Sequence, residues 1–184
     1  MTIPHRQLTK LMALLGACLV SNSVNANDRL DHTMPAEYAL AKFALIGVQI
    51  EADRSTSAKV TPGVVRCVKT IEPEALMPTY KQILATVLSE SEMAQAEAIY
   101  GGPLGEKILL SGEQMLYRHN GMTPPGGDVA FSAEEDAELM KFVNTSAGNK
   151  LLKQNFLDQP EPSRILHVKL NELFTACMKS GGTH

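Results

Sequence analysis

The sequence predicts an all-α fold: a small bundle of about six to eight helices that contains two repeated helical hairpins and one disulfide. Three observations predict it. Ala, Leu and Met dominate the apolar set, Trp is absent and aromatics make up 5% of the chain, a composition that favours helix over strand. Residues 88–111 and 131–154 nearly repeat each other at an offset of 43, sharing Ser89/Ser132, Glu92/Glu135, Ala94/Ala137, Gly105/Gly148, Lys107/Lys150 and Leu109/Leu152. Ordinary composition would supply roughly one or two such identities over that length. Finally, both copies open with Ser-x-x-Glu. In that capping box the Ser accepts a bond from the first helical turn and the Glu reaches back to the cap.

The elements follow in order. Residues 1–26 read as a secretory signal: His5, Arg6 and Lys10 form a basic start, residues 11–20 a short apolar run, and Val24-Asn25-Ala26 a small-residue cleavage site. The run is too short to span a bilayer. Residues 27–184 then form a single helical domain. An alternative stays open, because Leu15-Gly16-Ala17-Cys18 resembles a lipoprotein box in which Cys18 would be lipidated. Residues 35–53 predict a first helix, with Tyr38, Ala41, Leu45, Val48 and Ala52 at helical spacing and Pro35 in the first turn. Pro62 opens a short helix carrying Val65, Cys67 and Val68, and Pro73 or Pro78 opens the next, with Leu76, Tyr80, Ile83, Leu84 and Val87 on one face.

The repeats come next, at about 88–119 and 131–157. The first helix of each carries Ala96, Ile99 and Tyr100, or Leu139, Phe142 and Val143. Each breaks at Gly101-Gly102-Pro103 or Asn144-Thr145-Ser146, and a second helix begins at once. Gly105 and Gly148 fall in its first turn, where a side chain would collide with the partner helix. Between the copies, residues 120–128 (NGMTPPGGD) exclude regular structure. Residues 158–163 (DQPEPS) make another break, and residues 165–178 form a last helix with Ile165, Leu166, Leu170, Leu173, Phe174 and Cys177 on its apolar side.

The run Glu135-x-x-x-Leu139-x-x-Phe142-x-x-Thr145-x-x-Gly148-x-Lys150-Leu151-Leu152 resembles a bacterial domain family of unknown function found in small exported proteins. The resemblance spans residues 76–157 and departs at Val143, where the family usually has Tyr. It implies a small all-helical exported protein and brings no catalytic residues with it.

Charge and cysteines bound the function. Removing residues 1–26 takes away Arg6 and Lys10 and no acid, leaving 15 basic against 20 acidic side chains. A net charge of −5 argues against a general nucleic-acid or anionic-membrane surface. The mature body keeps Cys67 and Cys177, which read as one disulfide in an oxidising compartment; two separate buried thiols are the alternative. The expected location is periplasmic or secreted.

No motif carries recognisable chemistry. The run from Gly101 to Lys107 misses the phosphate loop, since Glu106 displaces the second Gly and no Ser or Thr follows Lys107. Glu134, Glu135, Asp136 and Glu138 fall at a helix start, where acids complement the dipole. His32, His119, His167 and His184 lack metal-ligand spacing, and no Gly-x-Ser-x-Gly elbow exists. Lys107 and Lys150 read as stems lying over the hairpins with their heads in water, or as a binding contact presented twice. No cofactor is expected.

Two functional expectations follow. One is a non-catalytic periplasmic binding or adaptor protein with a protein partner in the cell envelope: an inhibitor, an immunity-type protein or an envelope-stress factor. Its contact loop is expected at Asn120, Met122, Pro124, Pro125 and Asp128, because loops on rigid scaffolds often carry function. The alternative is an envelope-acting hydrolase with a dispersed site, motivated by His119 near Asp128 in sequence.

Overall fold

The structure, a computed structural model, describes residues 35–154 and 156–181. The signal segment, Cys18, His32 and His184 lie outside the described residues. Within them the fold is all-α, with no strand.

Helix α1 (Ala36–Arg54) is the centre of the molecule. Its sequence suggested one apolar face, but twelve of its nineteen residues are buried, on all sides, including Leu40, Phe43, Ile46 and Ile50. A helix apolar all round is a core helix, and the next four helices pack around it. Helix α2 (Pro62–Lys69) starts at Thr61, whose side chain accepts from Val64 N. A short 3₁₀ turn (Pro73–Ala75) leads into α3 (Met77–Val87), with Pro78 in its first turn. Both candidate prolines are thus used, each at a start. The first hairpin is α4 (Glu90–Tyr100) and α5 (Pro103–His119).

The second hairpin begins with α6 (Ala133–Val143) and continues with α7 (Ser146–Gly148), which runs into a π turn (Asn149–Lys153). A 3₁₀ turn (Phe156–Asp158) precedes the last helix, α8 (Pro160–Gly181). The break expected through residues 158–163 is therefore shorter than the sequence suggested. Pro160 and Pro162 stand inside the first turn of α8, where a missing N–H leaves no helical bond unmade.

Helices α2, α3, α4 and α5 all pack against α1, and α8 packs on α2 and α3. The core is continuous, with Tyr80, Phe156, Leu76, Ile83, Leu84, Leu116 and Leu166 fully buried. The Cys67–Cys177 disulfide forms, with Cα atoms 5.4 Å apart, and joins α2 to α8. No helix among the described residues is long and apolar enough to cross a membrane.

Candidate functional site

Two arrangements stand out from this frame: a crossed pair of ion pairs between the hairpins, and the loop that joins them. The ion pairs grow from the helix starts. Ser89 Oγ accepts from Glu92 N at 3.4 Å, and Glu92 Oε2 accepts from Ser89 N at 2.7 Å. The second copy repeats this with Ser132 and Glu135, at 3.2 Å and 2.7 Å. Both capping boxes expected from sequence are therefore formed.

The lysines depart from expectation. Their heads are tied to carboxylates, although about a third of each side chain stays exposed. Lys107, in the first hairpin, donates to Glu135 Oε2 of the second at 2.7 Å and to Ala130 O at 3.3 Å. Lys150, in the second hairpin, donates to Glu92 Oε2 of the first at 2.7 Å and to Val87 O at 3.0 Å. Ala130 and Val87 are themselves separated by the repeat offset of 43. Each hairpin thus closes the helix start of the other, and one carboxylate oxygen takes both the cap N–H and the ammonium.

The Gly-x-Lys spacing explains how. Residues two apart on a helix lie about 200° around it. The Gly faces the helix before it in its own hairpin, and the Lys points away, across to the other copy. A Cβ on Gly105 would lie 2.6 Å from the carbonyl carbon of Tyr100 and closer still to its oxygen. A Cβ on Gly148 would meet Phe142 in the same way. Tyr100 and Phe142 meet edge to face across the repeat boundary, with centroids 6.4 Å apart and planes at 81°.

The two pins differ in electrostatics. Lys150, Ser146 and the Ser89 amide all bond to Glu92, and together they hold its carboxyl down to about 2. Lys107 and the Ser132 amide hold Glu135 below the usual carboxylate range. Ser146 makes the difference, because its Oγ donates to Glu92. Its counterpart at the repeat offset is Pro103, which has no donor. At α1 the balance reverses. Both oxygens of Glu97 accept from Ala36 N at 3.2 Å, a cap supplied from another helix. Burial and the neighbouring Glu37 nevertheless push Glu97 above its ordinary value.

The joining loop is strapped to α5. Gln114, buried in that helix, donates to Gly127 O at 2.6 Å and accepts from Val129 N at 3.3 Å. Arg118 pairs with Asp128. Asn120 accepts from Arg54 and donates to Leu116 O at 2.8 Å. Gly121 and Gly126 take left-handed backbone, with φ of 70° and 77°, which suits Gly. Met122 is half-buried against the core, Pro124 is half-buried, and Pro125, Gly126, Gly127 and Asp128 are exposed. The expected contact loop is therefore a fixed stem with an exposed tip.

The remaining candidates find local roles. Glu134 is tied to Ser132 Oγ at 2.8 Å, and Thr145 caps α7 through Gly148 N at 3.0 Å. Among the described residues no group of three His, Cys, Asp or Glu side chains could hold a metal ion. Asp128 is taken by Arg118, and no hydrogen bond joins it to His119, which is exposed. The sequence missed both the lysine–glutamate crossing and the Gln114 strap. The repetition of Lys107 and Lys150 beside a repeated Glu was the available signal for the first. Gln114 lies outside the repeated positions and carried none.

Comparison of the chain with protein-family models, with curated proteins and with solved structures found no match.

Proposed function

We propose that this is a non-catalytic helical binding protein of the bacterial cell envelope, exported by its N-terminal segment, which presents the loop 120–128 to a protein partner. The observation that carries this reading is the strapping of that loop. Gln114 holds the descending stem at Gly127 and Val129, and Arg118 holds Asp128. The tip is left exposed on a fixed base. A loop ordered before binding loses less entropy on capture. The disulfide and the acidic balance of the mature chain fit an oxidising compartment and a partner with a basic surface. Inhibitor, immunity-type and envelope-stress roles all use such a contact.

The test is affinity capture from cell envelopes with residues 27–184 as bait under non-reducing crosslinking. A second bait has Pro124, Pro125, Gly126 and Gly127 replaced by Ser. A stoichiometric partner held by the first bait and lost from the second is the expected result. Equal capture by both would remove the loop from the reading. No partner at saturating bait would remove the binding class itself.

A further inference from the structure

We propose that the C-terminal segment of this chain, residues 131–181, is exchangeable between two copies, and that the Cys67–Cys177 disulfide is the lock that keeps it in its own chain. Three observations carry this.

The first is the crossing of the pins. Lys107 serves the cap of the second hairpin and Lys150 the cap of the first. Neither lysine is bonded to its own hairpin's cap. The surface that this segment presents is complementary to the rest of the fold, whichever copy supplies it. A second copy would reproduce both ion pairs and the Tyr100–Phe142 contact without change.

The second is the hinge. Thirteen residues, 120–132, separate α5 from α6 with no regular structure. The polar bonds that bring the chain back along α5 come from Gln114, Arg118 and Lys107. Opened out, this segment reaches about 40 Å, enough to pass from one molecule to another. Closed, it must turn and then run back from His119 to Lys107, which bonds Ala130 O. That return is about 18 Å along α5.

The third is the position of the disulfide. It ties α2 to α8 and so crosses the hinge. Once formed within one chain, it forbids exchange. Before it forms, effective concentration and the bonds of the joining segment to α5 favour the closed monomer. For a flexible connection of this length that concentration is on the order of 1 mM.

The test uses the full mature chain in two arms. In the first, a Cys67→Ser chain and a Cys177→Ser chain are unfolded together, refolded at about 1 mM and oxidised with glutathione disulfide. One Cys67 thiol and one Cys177 thiol give up two electrons and two protons. Glutathione disulfide accepts them and leaves as two glutathione thiols. Exchange predicts a disulfide-linked heterodimer bonded through Cys67 and Cys177, identified by peptide mass. The same mixing at a hundredfold lower concentration should leave mostly monomer. Monomers alone, or dimers linked only through Cys67 to Cys67, would overturn the proposal.

The second arm deletes residues 121–127 and keeps both cysteines. Of residues 120–131 five then remain, and their full reach of about 17 Å leaves nothing for the turn. Exchange predicts a helical dimer that stays covalent without reductant. A folded monomer with its own disulfide would overturn it. If the deletion prevents folding, the first arm decides.

Discussion

Gly148→Ala is the most discriminating single substitution, because two general effects predict opposite signs for it. Ala is the better helix former by about 1 kcal/mol and restricts the unfolded chain, so in open space the change would stabilise. Gly148 is not in open space. Its added Cβ would stand 2.6 Å from the carbonyl carbon of Phe142, with the carbonyl oxygen nearer still. These are backbone atoms at the end of α6, so no rotamer change relieves the clash. To restore van der Waals distance the two helices must separate by about 1 Å, and Phe142 is the one buried residue of α6. Forced overpacking of this kind costs about 1–3 kcal/mol. After the propensity gain a net loss of up to about 2 kcal/mol remains, a Tm drop of up to about 8 °C for a domain of this size. Gly105→Ala should behave alike, because it meets Tyr100 in the same geometry. Gly127→Ala is the control, since its Cβ meets nothing within 4 Å and should change stability by less than about 0.5 kcal/mol. Thermal unfolding followed by far-UV circular dichroism measures all three. A rise in Tm for Gly148→Ala and Gly105→Ala would refute the close approach as the reason for these glycines.

Other consequences are testable together. Lys107→Glu and Glu135→Lys should each destabilise, and the double exchange should recover part of the loss, with a coupling of about 1 kcal/mol in urea unfolding; strict additivity would mean that the pin contributes nothing. Glu92 and Glu135 have folded values depressed below the ordinary carboxylate, so their contribution is full above about pH 4.3 and is lost as pH falls through the folded values, about 2 for Glu92. The stability gap between the native chain and Lys150→Met should therefore hold steady from pH 7 to 5 and narrow towards pH 2; a gap that does not change would show that Lys150 acts through packing alone. Glu97 has the opposite sign, since its raised value makes folding more favourable as pH falls through it. Glu97→Gln should flatten the gain in stability as pH falls towards the ordinary carboxylate value of about 4.3, and an unaltered profile would exclude Glu97 as its source. Cys67→Ser and Cys177→Ser should each lower stability by a similar amount, up to about 5 kcal/mol for a loop closed over 110 residues; unequal losses would point to packing around one thiol.

The sequence by itself determined the all-α class, the order of the helices and the two capping boxes. These are local matters: a capping box is decided within four residues, and a Pro or Gly acts where it stands. The Ser89 and Ser132 boxes, the start at Pro62 and the hairpin breaks all follow from such short-range chemistry. It also pointed to Cys67 and Cys177 as a pair, with two separate thiols as the alternative, and the structure joins them. Tertiary structure decided what depends on which helix meets which. It buried α1 on all sides, where a single periodic face was legible. It tied two lysines, legible in the sequence as stems with heads in water or as a contact presented twice, to the opposite hairpin's cap, because only packing the hairpins side by side brings Lys150 to Glu92, 58 residues away. It strapped the loop through Gln114, a polar residue whose burial no local pattern signals. Helix periodicity states which face of a segment is apolar, whereas the partner that covers that face is chosen by the whole core at once.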